Sequence, residues 1–168
     1  MSRQTLLATL SKTRFLQGVA EQDLDCLAGI SRLEEYEEGE ALFTEGDPVD
    51  SVFLVISGQV ALEVNGSGVS PQHLLHVGPG DSLGWSALMR RQQRVSTAKA
   101  NTETRVFRID GEKLLALCDE HPRFGYQIMR ATAAALAERL HAMRLRFLDV
   151  YRLQPGGFMP GEVEIGVD

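Results

Sequence analysis

With 168 residues and a formal net charge of -6, the chain has the size of a single domain that can bury a core without disulfides or metals. Hydrophobic residues make up 43% and charged residues 24%, an ordinary globular mixture, and no run approaches the roughly 20 apolar residues of a membrane-spanning helix. An isoelectric point near 5.2 argues against a general affinity for nucleic acid phosphates, so any anion site has to be a local cluster.

The first segment, MSRQTLLATLSKTRF, has too short and too interrupted an apolar core for a secretory signal, and a cytoplasmic protein is expected. Residues 3 to 30 read as short helices: in AEQDLDCLAG, Leu24, Leu27 and Ala28 fall at helical spacing, Glu21 and Asp23 occupy the first turn, and Gly29 supplies a stop. From about residue 32 to 109 the pattern changes to short apolar runs cut by Gly, Pro, Asn and Asp, the spacing of a roll or sandwich. SVFLVI (51 to 56) and QVALEV (59 to 64) are joined by Ser57 and Gly58, which suggests a tight turn between paired strands. Asp47-Pro48, Asn65-Gly66 and Gly78-Pro79-Gly80-Asp81 mark further reversals, and STAKA and TRVFRI return as strands. The connections are too short for helical crossovers, so the sheets are expected to be antiparallel. The acidic run from Glu34 to Asp50 reads as a solvated strand face and turn, and Cys26 and Cys118 read as reduced core thiols.

Helices then return. Asp110 can cap GEKLLALC, and after His121-Pro122 a helical pattern runs to about Val150. Met129, Ala133, Leu136, Leu140, Met143, Phe147 and Val150 alternate at spacings of four and three, a heptad seam expected to pair the helix with a second copy, the alternative being that the stripe packs on its own β-domain. A second row, Phe124, Ile128, Ala131 and Ala135, is available to pack on the roll at the near end only. The fold expected is mainly β with flanking helices: an antiparallel, jelly-roll-like β-roll with N-terminal helices and a long C-terminal dimerisation helix, over residues 1–150. Residues 151–168 are expected to form a flexible tail.

The stretch that carries chemistry is LLHVGPGDSLGWSALMRRQQRVST, a strand, a glycine-rich turn, a possible helical turn and then arginines. Unpaired amides at the start of a helical turn suit an anion, and the guanidinium fork suits phosphate oxygens. The glycines are spaced G-x-G-x-x-x-G among short strands, which excludes the dinucleotide fingerprint of a βαβ unit. His73 and His76 lack the spacing and the acidic third ligand of a metal site, so no metal is expected. No nucleophile and base pair stands out, so no enzyme is expected. Arg90 and Arg91 read as a solvated loop.

From roughly Phe15 to Val150 the chain resembles the cyclic-nucleotide-binding domain of the catabolite-activator and Fnr family of bacterial regulators. The segments that carry the resemblance are FLQGVAEQDLDCLAG, EGEALFTEGDPVDSVFLVISGQVAL, VGPGDSLGWSALM and MRLRFLDV, in that order. The family cassette runs approximately F-G-E-[LIM]-A-L and then R-[ST]-A. The resemblance implies that Gly84 and the following amides hold a cyclic phosphate and that Arg94 neutralises it. Trp85 stands where the family has a glutamate for the ribose hydroxyl, Ser86 takes an apolar position, Ala87 and Leu88 match, and Val95 replaces the hydroxyl residue, with Ser96 and Thr97 just beyond.

The ligand-binding residues expected are therefore Gly84, Trp85, Ser86, Ala87, Arg94, Val95 and Ser96. The ligand would be cAMP or cGMP, bound weakly, because a sugar hydroxyl without its acceptor costs about 1–3 kcal/mol. Replacing Trp85 by glutamate is expected to restore the contact. Residues 151–168 contain no helix pair, so a stand-alone domain without the family's helix-turn-helix unit, and without direct DNA binding, is expected. The function expected is a non-catalytic sensor or regulatory module that couples ligand in the 84–97 cassette to a homodimer helix. The alternative is a protein-interaction and dimerisation module of the same fold that has lost cyclic nucleotide binding.

Overall fold

The computed structural model describes residues 3–65, 72–89 and 92–152. Gly66 of the expected turn, Arg90, Arg91 and the tail from residue 153 lie outside the described residues, as does the side chain of Val150. Two short helices, α1 (Arg3–Ser11) and α2 (Glu21–Gly29), flank a single 3-10 turn at Arg14–Leu16 and lead into eight strands. These are β1 (Ser31–Tyr36), β2 (Ala41–Phe43), β3 (Ser51–Ser57), β4 (Val60–Val64), β5 (Gln72–Val77), β6 (Ser82–Leu83), β7 (Thr97–Ala100) and β8 (Thr104–Asp110). They form two four-stranded antiparallel sheets, ordered β1-β8-β3-β6 and β2-β7-β4-β5. This is the antiparallel roll expected from the short connections, starting at Ser31 and ending at Asp110.

One expectation is corrected. β3 and β4 do not pair with each other: β3 lies between β8 and β6 in one sheet, and β4 lies between β7 and β5 in the other. The physical reason is in the composition of β3. SVFLVI is apolar on both faces, so it has to be covered on both. Phe53 and Val55 point into the roll with Leu42, Phe43, Val60, Leu62, Leu75, Leu83 and Val106, whereas Val52 and Leu54 point outward beneath the helices with Phe107 and Ile109. Gly58 is therefore a corner between sheets. It packs on the matching corner between β7 and β8, where Asn101 N donates to Gln59 O at 2.7 Å and Gln59 N donates to Thr102 Oγ1 at 3.1 Å.

The helices cover the outer face of the β1-β8-β3-β6 sheet. Asp110 caps α3 (Gly111–Glu120), its side chain accepting from Lys113 N at 3.0 Å. Helix α4 (Pro122–Arg152) starts on proline, whose missing N–H is unneeded in a first turn. Its near half is anchored through Phe124 and Ile128, both fully buried, with Ala131 and Ala135 packed beside them, as the second apolar row implied. At about 1.5 Å per residue α4 is about 46 Å long, and its far half leaves the helical layer. Leu140 and Phe147 are 61% and 60% exposed. Met143, from the same seam, instead leans on the interior cluster of the roll. The cysteines divide: Cys118 is buried, which together with Asp119 raises its pKa to about 11, whereas Cys26 is exposed and is not the core thiol expected. None of the described helices is long and apolar enough to cross a membrane.

Gly58 has φ +83°, and a Cβ there would lie 2.3 Å from Glu103 O and 2.7 Å from Thr104 Cα, both backbone atoms. Gly58→Ala is expected to lose at least about 2 kcal/mol, since left-handed strain and a clash with main chain add. Urea unfolding followed by circular dichroism, with m unchanged, checks this.

Candidate ligand-binding site

The site starts where β6 ends. β6 is held to β3 through Phe53 opposite Leu83, and Gly84 then takes φ +85° to open the 3-10 turn Trp85–Ala87. A Cβ on Gly84 would lie 2.9 Å from both Arg94 Nη1 and Ser51 O. Glycine is required here both by the backbone angle and by the space. The amides of Trp85 and Ser86 begin the turn, beyond reach of the turn's own carbonyls.

Arg94 enters from the opposite side. Its backbone is clamped, with Arg94 N donating to Asp47 O at 2.8 Å and Gly46 N donating to Arg94 O at 2.9 Å. The guanidinium reaches Ser51 O through Nη2 at 2.8 Å and Gly84 O through Nη1 at 3.3 Å, with Asp50 Oδ1 at 3.5 Å from Nη2. It lies 4.3 Å above the Phe43 ring. Arg94 is only 3% exposed, and its buried Nε has no partner among the described residues. Burial pulls the Arg94 pKa below the ordinary arginine value and Asp50 opposes that pull; the group stays a cation. Asp50 in turn takes a hydrogen bond from Ser51 Oγ at 2.6 Å and an ion pair with Arg108 at 2.5 Å. Burial raises its pKa, but the Ser51 and Arg108 contacts outweigh this and leave it below the usual carboxylate value.

The acidic run is thus more than a solvated face. Glu34 pairs with Arg32 and Arg108, and Glu35 pairs with Arg105. Three of its carboxylates, Glu34, Glu35 and Asp50, are counterions for arginines on β1, on β8 and in the cassette.

A cavity of about 320 Å³ opens beside Arg94. Six of the seven expected residues line it: Gly84, Trp85, Ser86, Arg94, Val95 and Ser96. Ala87 does not. It is buried in the helix-side core, close enough to Gly111 that a Cβ there would meet its own at 2.8 Å. Phe43 and Leu62 of the roll, Met89, and Leu136 and Arg139 of α4 complete the lining. Arg139 donates through Nη2 to Ser82 O, and its Cζ lies 5.9 Å from the Trp85 ring centroid. Burial lowers its pKa and Asp81 opposes this.

Sequence reasoning missed Arg139, Phe43, Ser51 and Asp50. Arg139 gave no local signal, because it stands in a helix 45 residues beyond Arg94 and only the fold brings the two together. His73 and His76 stack on each other, with Nε2 and Nδ1 3.4 Å apart, and no group of three metal-ligating side chains occurs among the described residues.

Trp85 has a further role. It is 6% exposed and packs against Phe15 as a tilted ring pair with centroids 5.0 Å apart, a member of the helix-side core as well as of the cavity wall. This corrects the expectation that a glutamate at position 85 would simply regain an acceptor, because the carboxylate would enter apolar packing.

A glycine-capped turn facing a buried arginine, between a β-roll and a long helix, defines the class: a mainly antiparallel domain of the jelly-roll type with flanking helices. Known proteins specify it further. The profile of the cyclic nucleotide-binding domain matches residues 33–121, and the chain belongs to that family. The Pycsar effector protein XpPycTIR of Xanthomonas perforans is 29% identical over 143 residues, which cover 83% of this chain and 44% of that protein. A CRP-like cAMP-activated global transcriptional regulator of Mycobacterium tuberculosis is 26% identical over 127 residues, 76% of this chain and 57% of that one. The chain thus spans about half the length of these curated relatives. A cyclic nucleotide-binding domain from Methylobacillus flagellatus superposes with a TM-score of 0.75 at 19% identity, covering 94% of this chain and 86% of that one, a likeness of fold.

Trp85→Ala is expected to cost about 3–5 kcal/mol, the loss for a large aromatic removed from a core, and Trp85→Glu at least as much near neutral pH. Chemical denaturation followed by circular dichroism measures both, since the protein's one tryptophan is the residue changed.

Proposed function

We propose that the protein is a non-catalytic sensor domain that binds a cyclic nucleotide, cAMP or cGMP, in the cavity beside Arg94 and passes occupancy to α4. The observation that carries this reading is the buried Arg94 guanidinium set against Gly84, in a cavity to which α4 itself contributes Leu136 and Arg139. A cation already buried and oriented by Ser51 O and Gly84 O would receive a phosphate without reorganisation. A volume near the lower end of ligand pockets fits a mononucleotide. Names of relatives point the same way, one of them cAMP-activated.

Any ligand that touches Leu136 or Arg139 changes the forces on the helix that holds them. The exposed Leu140 and Phe147 of the far half, with Met129, would pair with a second copy and make α4 the output of the site. Met143 leans on the roll and would take a smaller part.

The second reading is an interaction module of the same fold without a ligand. Trp85 favours it, since it puts core packing where the family places an acceptor. The acidic balance of the chain supports neither reading as a direct DNA binder.

Thermal unfolding separates the two readings. A cyclic nucleotide at 100 times its dissociation constant is expected to stabilise by about 2.7 kcal/mol, a rise of about 5–10 °C in Tm, and Arg94→Lys is expected to remove most of the rise. If neither cAMP nor cGMP at millimolar concentration moves Tm, the interaction-module reading replaces this one.

Pairing through α4 is tested by Met129→Glu with Leu140→Glu. The double variant is expected to sediment as a monomer where the parent protein sediments as a dimer, because like charges would meet across the seam.

A further inference from the structure

The β2-β7-β4-β5 sheet carries on its outer face two histidines that the nucleotide reading does not use, His73 and His76, and neither lines the cavity beside Arg94. In a regular strand, residues three apart point to opposite faces. The spacing of this pair therefore argued against a shared metal. The backbone overrides the spacing: β5 pairs Leu75 with Leu62 and His73 with Glu63, so that Leu74 is the extra residue of a bulge. Leu75 and Val77 turn into the roll, and both histidines come out on the exposed side.

The two rings then meet. Their centroids are 4.1 Å apart, and Nε2 of His73 lies 3.4 Å from Nδ1 of His76. A good N–H hydrogen bond spans about 2.7–3.2 Å, so this separation is long for one. It suits a pair of metal ligands better. Two nitrogens each about 2.0–2.1 Å from a zinc ion, and set at the tetrahedral angle, lie about 3.3–3.4 Å apart.

The neighbouring strand leaves room for such an ion and adds a negative charge. Glu63 stands opposite His73 on β4, and the small Ala61 stands opposite His76. Lys99 of β7 is across from Ala61, one strand further away.

We infer that His73 Nε2 and His76 Nδ1 form a two-histidine site for a zinc ion, with water in its remaining positions and the Glu63 carboxylate beside it. Imidazole nitrogen suits zinc, copper and nickel, and the tetrahedral bite selects zinc. Both rings bind as neutral imidazoles, each keeping its proton on the other nitrogen. The ion would close the bulge and so hold Leu74, which packs on the interior cluster of the roll, as Met143 of α4 does.

Titration calorimetry of the full, reduced chain with zinc chloride tests this near pH 7.5, where unperturbed imidazoles are neutral. One zinc ion per chain is expected to bind, and His73→Ala and His76→Ala are each expected to weaken it at least about tenfold. Cys26→Ser, which removes the exposed thiol, and His121→Gln, which removes the imidazole held by Asp23, are expected to leave the affinity unchanged. Affinity is also expected to fall as the pH drops through about 6.5, because protonated rings have no lone pair to give.

Long-range proton–nitrogen NMR of the imidazoles reads the same site in the unaltered protein. Zinc is expected to shift Nε2 of His73 and Nδ1 of His76, with His121 and His141 unmoved. The absence of zinc binding overturns the inference, as does binding that survives both alanine substitutions or is lost with Cys26 or His121. Zinc that shifts other imidazoles and leaves His73 and His76 unmoved overturns it without any substitution. None of these outcomes bears on nucleotide binding beside Arg94.

Discussion

The Arg94 guanidinium holds the two sheets and the cassette in one arrangement. It touches the first residue of β3 through Ser51 O, the turn after β6 through Gly84 O, and β2 through the Phe43 ring. Burying a cation costs several kcal/mol unless its hydrogen bonds are met, so these groups have to stay where they are. Gly84 has no side chain because the guanidinium occupies that space. From Asp50 the charge pairing continues through Arg108 to Glu34 on β1, so a cassette cation is linked by ion pairs to the edge of the sheet that carries the helices.

The same arrangement explains why the cavity lies where it does. Arg94 and the Trp85 turn form its floor, and α4 closes it from above. The near half of α4 is fixed by Phe124 and Ile128 in the helix-side core, and its middle lies over the cassette through Leu136 and Arg139. Its far half is largely exposed, apart from Met143. One helix therefore has a near half rooted in the core, a middle that lines the cavity, and a largely exposed far half.

Trp85 sets the opposing demand. It fills core space against Phe15 and at the same time walls the cavity. The turn is thus tied to the N-terminal helices as well as to the site. Core packing and the cavity wall share this residue, so it cannot be altered for one without affecting the other.

The chain by itself determined a good deal. Periodicity placed the roll between residues 32 and 109, Asp110 as a cap, the proline start of α4 and the two apolar rows along it, because these are local patterns of period two or 3.6. The stretch from Gly84 to Ser96 was read by its resemblance to the family's cassette, whose members are close in sequence, and six of the seven residues so named line one cavity. Tertiary structure alone decided the rest. That β3 and β4 belong to different sheets follows from covering both faces of β3, a demand no local turn signal expresses. That Trp85 belongs to the core depends on Phe15, 70 positions earlier. That Arg139 stands in the cavity with Arg94 depends on where a 46 Å helix, by the roughly 1.5 Å rise of each residue, crosses the roll. A sequence pattern records which face of an element is buried, but what that face meets is set by packing between elements distant in the chain.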